Sequence, residues 1–151
     1  MQISRPYLRG FTLLELMVVI AIISILASLS APTFTRQIAK AKLIEAQNLA
    51  TQHQSLVEEF ILLNGDFPTS SEFDLIKSTL SESSIVKSII VENQSDDTGD
   101  IKLTFNTSTA ITEGEFLTYS RDSNRNWSCS SDLDDNILPN QCVSASTGEE
   151  E

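Results

Sequence analysis

Gly10-Phe11-Thr12-Leu13-Leu14-Glu15 opens an apolar run that reaches Ala31, and from Leu13 to Ala31 the only ionisable side chain is Glu15. A helix rises about 1.5 Å per residue, so the stretch from Phe11 to Ala31 covers the roughly 30 Å of a hydrocarbon core. The segment ahead of it, Met1 to Gly10, is short and polar, with Arg5 and Arg9 as its charges. An unpaired carboxylate at mid-bilayer depth costs up to about 2.5–3.5 kcal/mol; Glu15 lies only about 6 Å in, so its cost is lower. On the residues alone, its side chain either snorkels to the headgroups or marks a segment that falls short of spanning.

The formal net charge is −11 over 151 residues. That argues against a nucleic-acid-binding surface, which needs a basic patch. Arg36, Lys40 and Lys42 nonetheless form a local positive cluster just past the apolar run. With two basic residues before the span and three soon after, charge counting does not orient it. Two cysteines, Cys129 and Cys142, lie close together late in the chain, and in an exported domain such a pair reads as a disulfide. With a single, distant His53 they do not complete a zinc site. No nucleophile–base pair, phosphate loop or dinucleotide fingerprint stands out, so neither an enzyme nor a cofactor is expected. The length suits one small domain plus an extended helix.

Pro32 follows the apolar run, and a proline inside a helix predicts a kink or local opening. Beyond it Ala39, Leu43, Ala46, Ala50, Val57 and Ile61 recur at threes, fours and sevens, widened by Leu49, Leu56 and Phe60. This is an amphipathic helix with one face for a core. Gln37, Lys42, Gln47, Gln52 and Glu59 fill much of the rest, and His53 falls among the apolar positions as a packed or partly exposed side chain. A helix from Phe11 to about Leu63 is too long for a compact globule, so its first half must find a bilayer or other subunits. Asn64-Gly65-Asp66-Phe67-Pro68-Thr69 stops it, and Ser70 or Ser71 caps a short helix through about Leu80.

The period then shifts toward two. Ile85–Glu92 and Ile101–Phe105 read as strands joined by a hairpin at Asp97-Thr98-Gly99. Phe116–Arg121 and Trp127–Cys129 form a second hairpin around Asp122-Ser123-Asn124-Arg125-Asn126. Four antiparallel strands with one apolar face would pack on the helix stripe, an α+β arrangement. Asp132, Asp134 and Asp135 raise calcium, but they lack the glycine and glutamate of an EF-hand, and a solvated acidic loop is the simpler reading. Ser144 to Glu151 is small, polar and acidic, hence a loose tail.

Arg9-Gly10 followed by Phe11-Thr12-Leu13-Leu14-Glu15-Leu16 and a long apolar helix resembles the prepilin signature of type IV pilins and the related type II secretion pseudopilins. The resemblance implies that a prepilin peptidase cuts after Gly10 and methylates the new terminus at Phe11. In a bundle of such helices the Phe11 amine neutralises Glu15 of a neighbouring subunit, which offsets the desolvation of both groups and sets axial register. A Phe11–Glu15 pair within one chain is an open alternative, since residues four apart share a helix face. The family's fibres also imply that Ser24 to Pro32 extends on assembly. Trp127-Ser128-Cys129-Ser130-Ser131-Asp132, then Leu138-Pro139 and Cys142, resembles the exposed disulfide-bounded loop of the pilins and favours them over the pseudopilins.

The implied organisation is a cleaved leader at 1–10, a transmembrane and filament-core helix at 11–35, and a head at 36–151 with the disulfide loop 129–142 and the tail 144–151. The implied function is that of a structural subunit, stored in the bacterial inner membrane as a single-pass precursor and assembled into an extracellular pilus. Its partners are copies of itself, other pilins, the peptidase and methyltransferase, and an inner-membrane assembly platform. Adhesion, twitching motility and DNA uptake are the roles the resemblance carries, without selecting one. A minor pilin, a pseudopilin and a membrane-anchored binding domain that never polymerises are the alternatives.

An ordinary secretory signal makes a different prediction, because Ala27 to Ala31 holds small residues and Pro32 would then begin the mature chain. Terminal sequencing of the mature protein is expected to start at Phe11; a start at Pro32 would establish the secretory route.

Overall fold

The computed structural model describes residues 10–145. The leader read over 1–10 and the tail read over 144–151 fall mostly outside the described residues. The order of elements is α1 (Leu13–Asn64), α2 (Ser70–Ile76), β1 (Val86–Ser95), β2 (Thr98–Phe105), β3 (Phe116–Arg121), β4 (Trp127–Ser131) and β5 (Cys142–Ser144). The chain divides into two compact units, with the boundary between Phe34 and Thr35.

In the first unit α1 carries its apolar side chains exposed, from Leu13 at 75% to Leu29 at 70%. The helix is long and apolar enough to cross a membrane. Its few hydroxyls are satisfied by the helix itself: Ser24 donates to the Ile20 carbonyl, Ser28 to Ile25 and Ser30 to Leu26, at 2.7, 2.7 and 3.0 Å. Such back-bonding hides polar hydrogens where no water is at hand. The helical hydrogen-bonding pattern continues through position 32.

In the second unit the expected stripe is the buried one. Ala39, Leu43, Ala46, Ala50, His53 and Val57 are all at most 2% exposed. Three alanines in that row let the sheet approach the helix backbone, and the larger side chains fill the gaps from the other side. They meet Ile89 and Val91 of β1, Ile101, Leu103 and Phe105 of β2, and Leu117 and Tyr119 of β3 in one core. Along β2 every second residue, Gly99, Ile101, Leu103 and Phe105, is buried, the alternation of a strand with one covered face.

The sheet differs from the expected four antiparallel strands. It has five, in the order β1-β2-β3-β4-β5, and β5 pairs in parallel with β4. Three residues are too few to carry a periodic signal. The disulfide holds them in place, because Cys129 stands directly opposite Cys142 in that ladder. The first hairpin is also longer than the apolar pattern suggests. Ser95 pairs with Thr98, so the turn residues are Asp96 and Asp97, and the ladder shifts register between Glu92 and Ser95, where Asn93 adopts φ 50°. A hairpin stays paired beyond the core that specifies it, so polar residues enter the strands unannounced. Gly99 is needed there for space: a Cβ would stand 2.7–2.9 Å from the Phe67 ring.

The short helix is capped one residue earlier than expected. Thr69 is the N-cap, and its side chain and that of Glu72 form a reciprocal capping box. The helix also ends earlier, at Ile76 rather than near Leu80. A reason is visible in the core: the Ser78 N–H donates to Nε2 of His53, 3.3 Å away, instead of continuing the helix. The other ring nitrogen, Nδ1, donates to the Leu49 carbonyl at 2.6 Å. His53 is therefore a neutral, fully bonded core side chain tilted against Phe73, with ring centroids 5.8 Å apart.

Burial pushes the His53 pKa below its ordinary value. The unfolded chain then binds this proton more readily than the folded one, so stability present above about pH 6.5 is lost as pH falls through the folded value. Chemical denaturation of the full chain in detergent at stepped pH should show stability declining from about pH 6.5 downward, by at most roughly 1.4 kcal/mol per pH unit. His53→Gln should flatten that slope while leaving the steeper carboxylate-driven loss at lower pH.

Candidate functional site

The start of α1 brings the predicted residues together within one turn. Thr12 stands before the first helical residue, and its hydroxyl oxygen accepts from the Glu15 N–H at 3.2 Å. Glu15 Oε2 reaches back and accepts from both the Thr12 N–H and the Thr12 hydroxyl, each at 2.8 Å. This is the same reciprocal cap that Thr69 and Glu72 make, and it satisfies donors that a helix start leaves open. The Thr-x-x-Glu spacing of a capping box is present in Thr12-Leu13-Leu14-Glu15. Hydrogen bonds from threonine orient the carboxylate without cancelling its charge. A cationic partner therefore still has something to neutralise.

Phe11 is 83% exposed and precedes the helix. Among the described residues no atom lies within 4 Å of where a Cβ on Gly10 would stand. Pro32 lies farther along α1, and the two cysteines lie in the second unit.

Cys129 and Cys142 form a disulfide, with their Cα atoms 4.4 Å apart. The loop it closes is pinned from inside by Leu133 and Ile137, 2% and 3% exposed. Ser131 Oγ donates to the Phe116 carbonyl at 2.6 Å and accepts from the Leu133 N–H at 3.1 Å. The aspartates serve the loop's backbone. Asp132 Oδ1 accepts from the Phe116 N–H at 2.7 Å, and Asp134 Oδ1 accepts from the Asn136 N–H at 2.8 Å and from its side-chain amide at 2.6 Å. Those Asn136 donors hold the Asp134 carboxyl below its usual range. Among the described residues no group of three or more histidines, cysteines and acids could hold a metal ion.

One charged cluster escaped the sequence reading. Arg121, 4% exposed, occupies the inward position of β3 that follows Leu117 and Tyr119 at a spacing of two. Its Nε and Nη2 donate to the two Glu58 oxygens at 2.7 and 3.1 Å, and Nη1 donates to the Asp97 carbonyl at 2.6 Å and to its carboxylate at 3.1 Å. The Trp127 indole N–H donates to Glu58 at 2.9 Å. The Arg121 hydrogen bonds hold the Glu58 carboxyl below its ordinary range. The cluster ties α1, the β1–β2 turn, β3 and β4 together, and its in-register position on β3 was the available signal.

Comparison with known proteins agrees with this geometry. Residues 39–143 match the family model for pilin, the subunit of bacterial filaments, and residues 7–31 match the prokaryotic N-terminal methylation motif. The fimbrial protein EcpC of Eikenella corrodens is 33% identical over 145 residues, covering 92% of this chain and 93% of that protein. The type IV major pilin protein PilE of Neisseria gonorrhoeae is 32% identical over 146 residues, covering 93% and 84%. The type IV major fimbrial protein FimA of Dichelobacter nodosus is 30% identical over 151 residues, covering 89% and 94%. The chain belongs to the pilin family.

The disulfide closes a loop with a sequence separation of 13. Reduction should lower stability by about 3 kcal/mol in the chain-entropy picture. The paired strand β5 should be the first element to lose amide-exchange protection. Equal protection of 142–144 before and after reduction would show that the ladder holds without the bond.

Proposed function

We propose that this chain is a major structural subunit of a type IV pilus, matured by cleavage between Gly10 and Phe11 and methylation of Phe11. The observation that carries the reading is the start of α1: an exposed glycine whose side-chain position meets none of the described residues, an exposed Phe11, and a carboxylate held one turn into the apolar first half of the helix. The fimbrial names of its relatives support a filament, and the major-subunit names of PilE and FimA support the major form.

In this reading the precursor spans the cytoplasmic membrane once, and a prepilin peptidase releases Phe11 as an amine. Before cleavage Glu15 is an N-terminal cap. Afterwards the new amine lies within reach of that carboxylate on its own helix or on a neighbour's, and a neighbour's amine makes the pairing a register device for the bundle. Pro32 is the place where α1 opens when the apolar half repacks. The assembly platform and its motor supply the work of extension; the subunit performs no catalysis. Adhesion, twitching motility and DNA uptake follow from the filament as a whole, and the acidic head leaves nucleic-acid contact to other components.

Glu15→Gln separates charge from capping, because glutamine also serves at the third position of a capping box. The variant should reach the membrane at the parent's level and be processed at Gly10, yet yield at least roughly tenfold fewer sheared surface fibres, as expected if a buried cation is left unpaired. Fibres at the parent's abundance would remove the charge pair from assembly. A parent chain that never enters the sheared fraction would instead favour the non-polymerising anchor.

A further inference from the structure

We infer that the two ends of the head are complementary docking surfaces for successive copies of this chain, the leucine-bearing end of α1 in one copy seating in a groove beside the disulfide loop of the next. The inference rests on the filament reading above and adds the head-to-head contact.

The groove, of about 360 Å³, lies between α1 and the loop that follows Ile137. Leu43 and Ile44 line it from the helix and Leu138 and Pro139 from the loop. Lys40 is the one charged residue in that lining. Arg36 stands one turn earlier on the same helix row, which extends the positive edge. Leu43 is buried and Ile44 is 56% exposed, so the groove offers apolar surface that none of the described residues covers.

At the opposite end of the second unit, where α1 stops, Leu62 and Leu63 are 82% and 78% exposed. Single exposed leucines are ordinary, but these are adjacent and protrude just before Gly65 turns the chain at φ 94°. Arg125 lines the cleft beside Leu62, but carboxylates outnumber it. Glu59 lies one turn back on the Leu62 face, Asp66 follows the turn, and Asp96 borders the same cleft as Leu62; all three are exposed.

The two surfaces therefore match in kind: an apolar knob where acids are in excess, with Arg125 beside them, and an apolar groove where cations are in excess, with Asp134 near Arg36. In a chain of net charge −11, copies repel on average, and the Arg36–Lys40 edge is a place where an acidic end is attracted. Because knob and groove are different patches, the contact is head-to-tail. It cannot satisfy itself as a closed pair and instead propagates. Nineteen helical residues separate Leu43 from Leu62, so docked copies lying parallel are offset by about 29 Å along α1.

The test places Leu62→Cys and Pro139→Cys together in the full chain, expressed in its own cells, and treats sheared fibres with a short bis-maleimide. Cys129 and Cys142, joined as a disulfide, do not react. The expected result is a ladder of dimers, trimers and higher products on a denaturing gel, absent from either single variant. Lys40→Glu in that background should cut the ladder about two- to fivefold, the loss expected of one rim ion pair. Fibres without a ladder, or products that stop at dimers, overturn the inference and leave the groove to the chain's own residues 146–151 or to another pilin. If the double variant does not assemble, co-expression with the parent gives mixed fibres, in which adducts between variant copies support the contact and their absence overturns it. No fibres from the parent chain would overturn the filament reading itself.

Discussion

The close seating of α1 on the sheet is the interaction on which the head depends. Ala39, Ala46 and Ala50 are fully buried, and each lacks the side-chain bulk that would hold the strands away. Leu43 and Val57 on the helix, and Ile101, Leu103, Phe105 and Leu117 on the strands, then fill the space between. Each such side chain contributes about 1.5–3 kcal/mol on burial, against an ordering cost spread over every residue fixed. A larger residue at any of the three alanines would have to push the whole sheet outward, because strands paired in one ladder move together.

The same helix carries two kinds of surface along its length. Its apolar half carries exposed side chains from Leu13 to Leu29, and its polar needs are met locally by Ser24, Ser28 and Ser30 bonding back to the helix. The charge at Glu15 is the exception that a bilayer or a bundle must accommodate. The capping box with Thr12 orders that carboxylate without neutralising it, so under the proposed maturation the anion is already oriented beside the terminus that cleavage would create. A group that is rigid before its partner arrives loses less entropy on pairing.

In the head, charge is handled differently. Arg121 is removed from water, but its guanidinium hydrogen-bonds oxygens of Glu58 and Asp97, with Trp127 completing Glu58. Removing Glu58 leaves the buried guanidinium with Asp97 alone, and under-pairing a buried charge costs more than the pair contributes. The cluster thus locks the relative placement of the first hairpin and the helix end, and with it the acidic surroundings of Leu62. His53 does similar work without charge, terminating α2 by capturing the Ser78 N–H.

Much of this was legible in the residues. The apolar run with its lone Glu15, the helix stripe from Ala39 to Val57, the strand at Phe116–Arg121 and the cysteine pair all follow from local composition and period, which burial on one face or in one solvent imposes directly. The tertiary structure decided what depends on partners distant in sequence. The second role of Cys142, as the anchor of a parallel fifth strand, needs β4 beside it. The pairing of Arg121 with Glu58 spans 63 positions, and the early end of α2 at Ile76 is set by a histidine 25 residues before Ser78. Period and composition describe how a segment divides its own faces between water and core. Which polar groups then satisfy one another inside that core is fixed only once the chain has brought them within about 3 Å, the reach of a hydrogen bond.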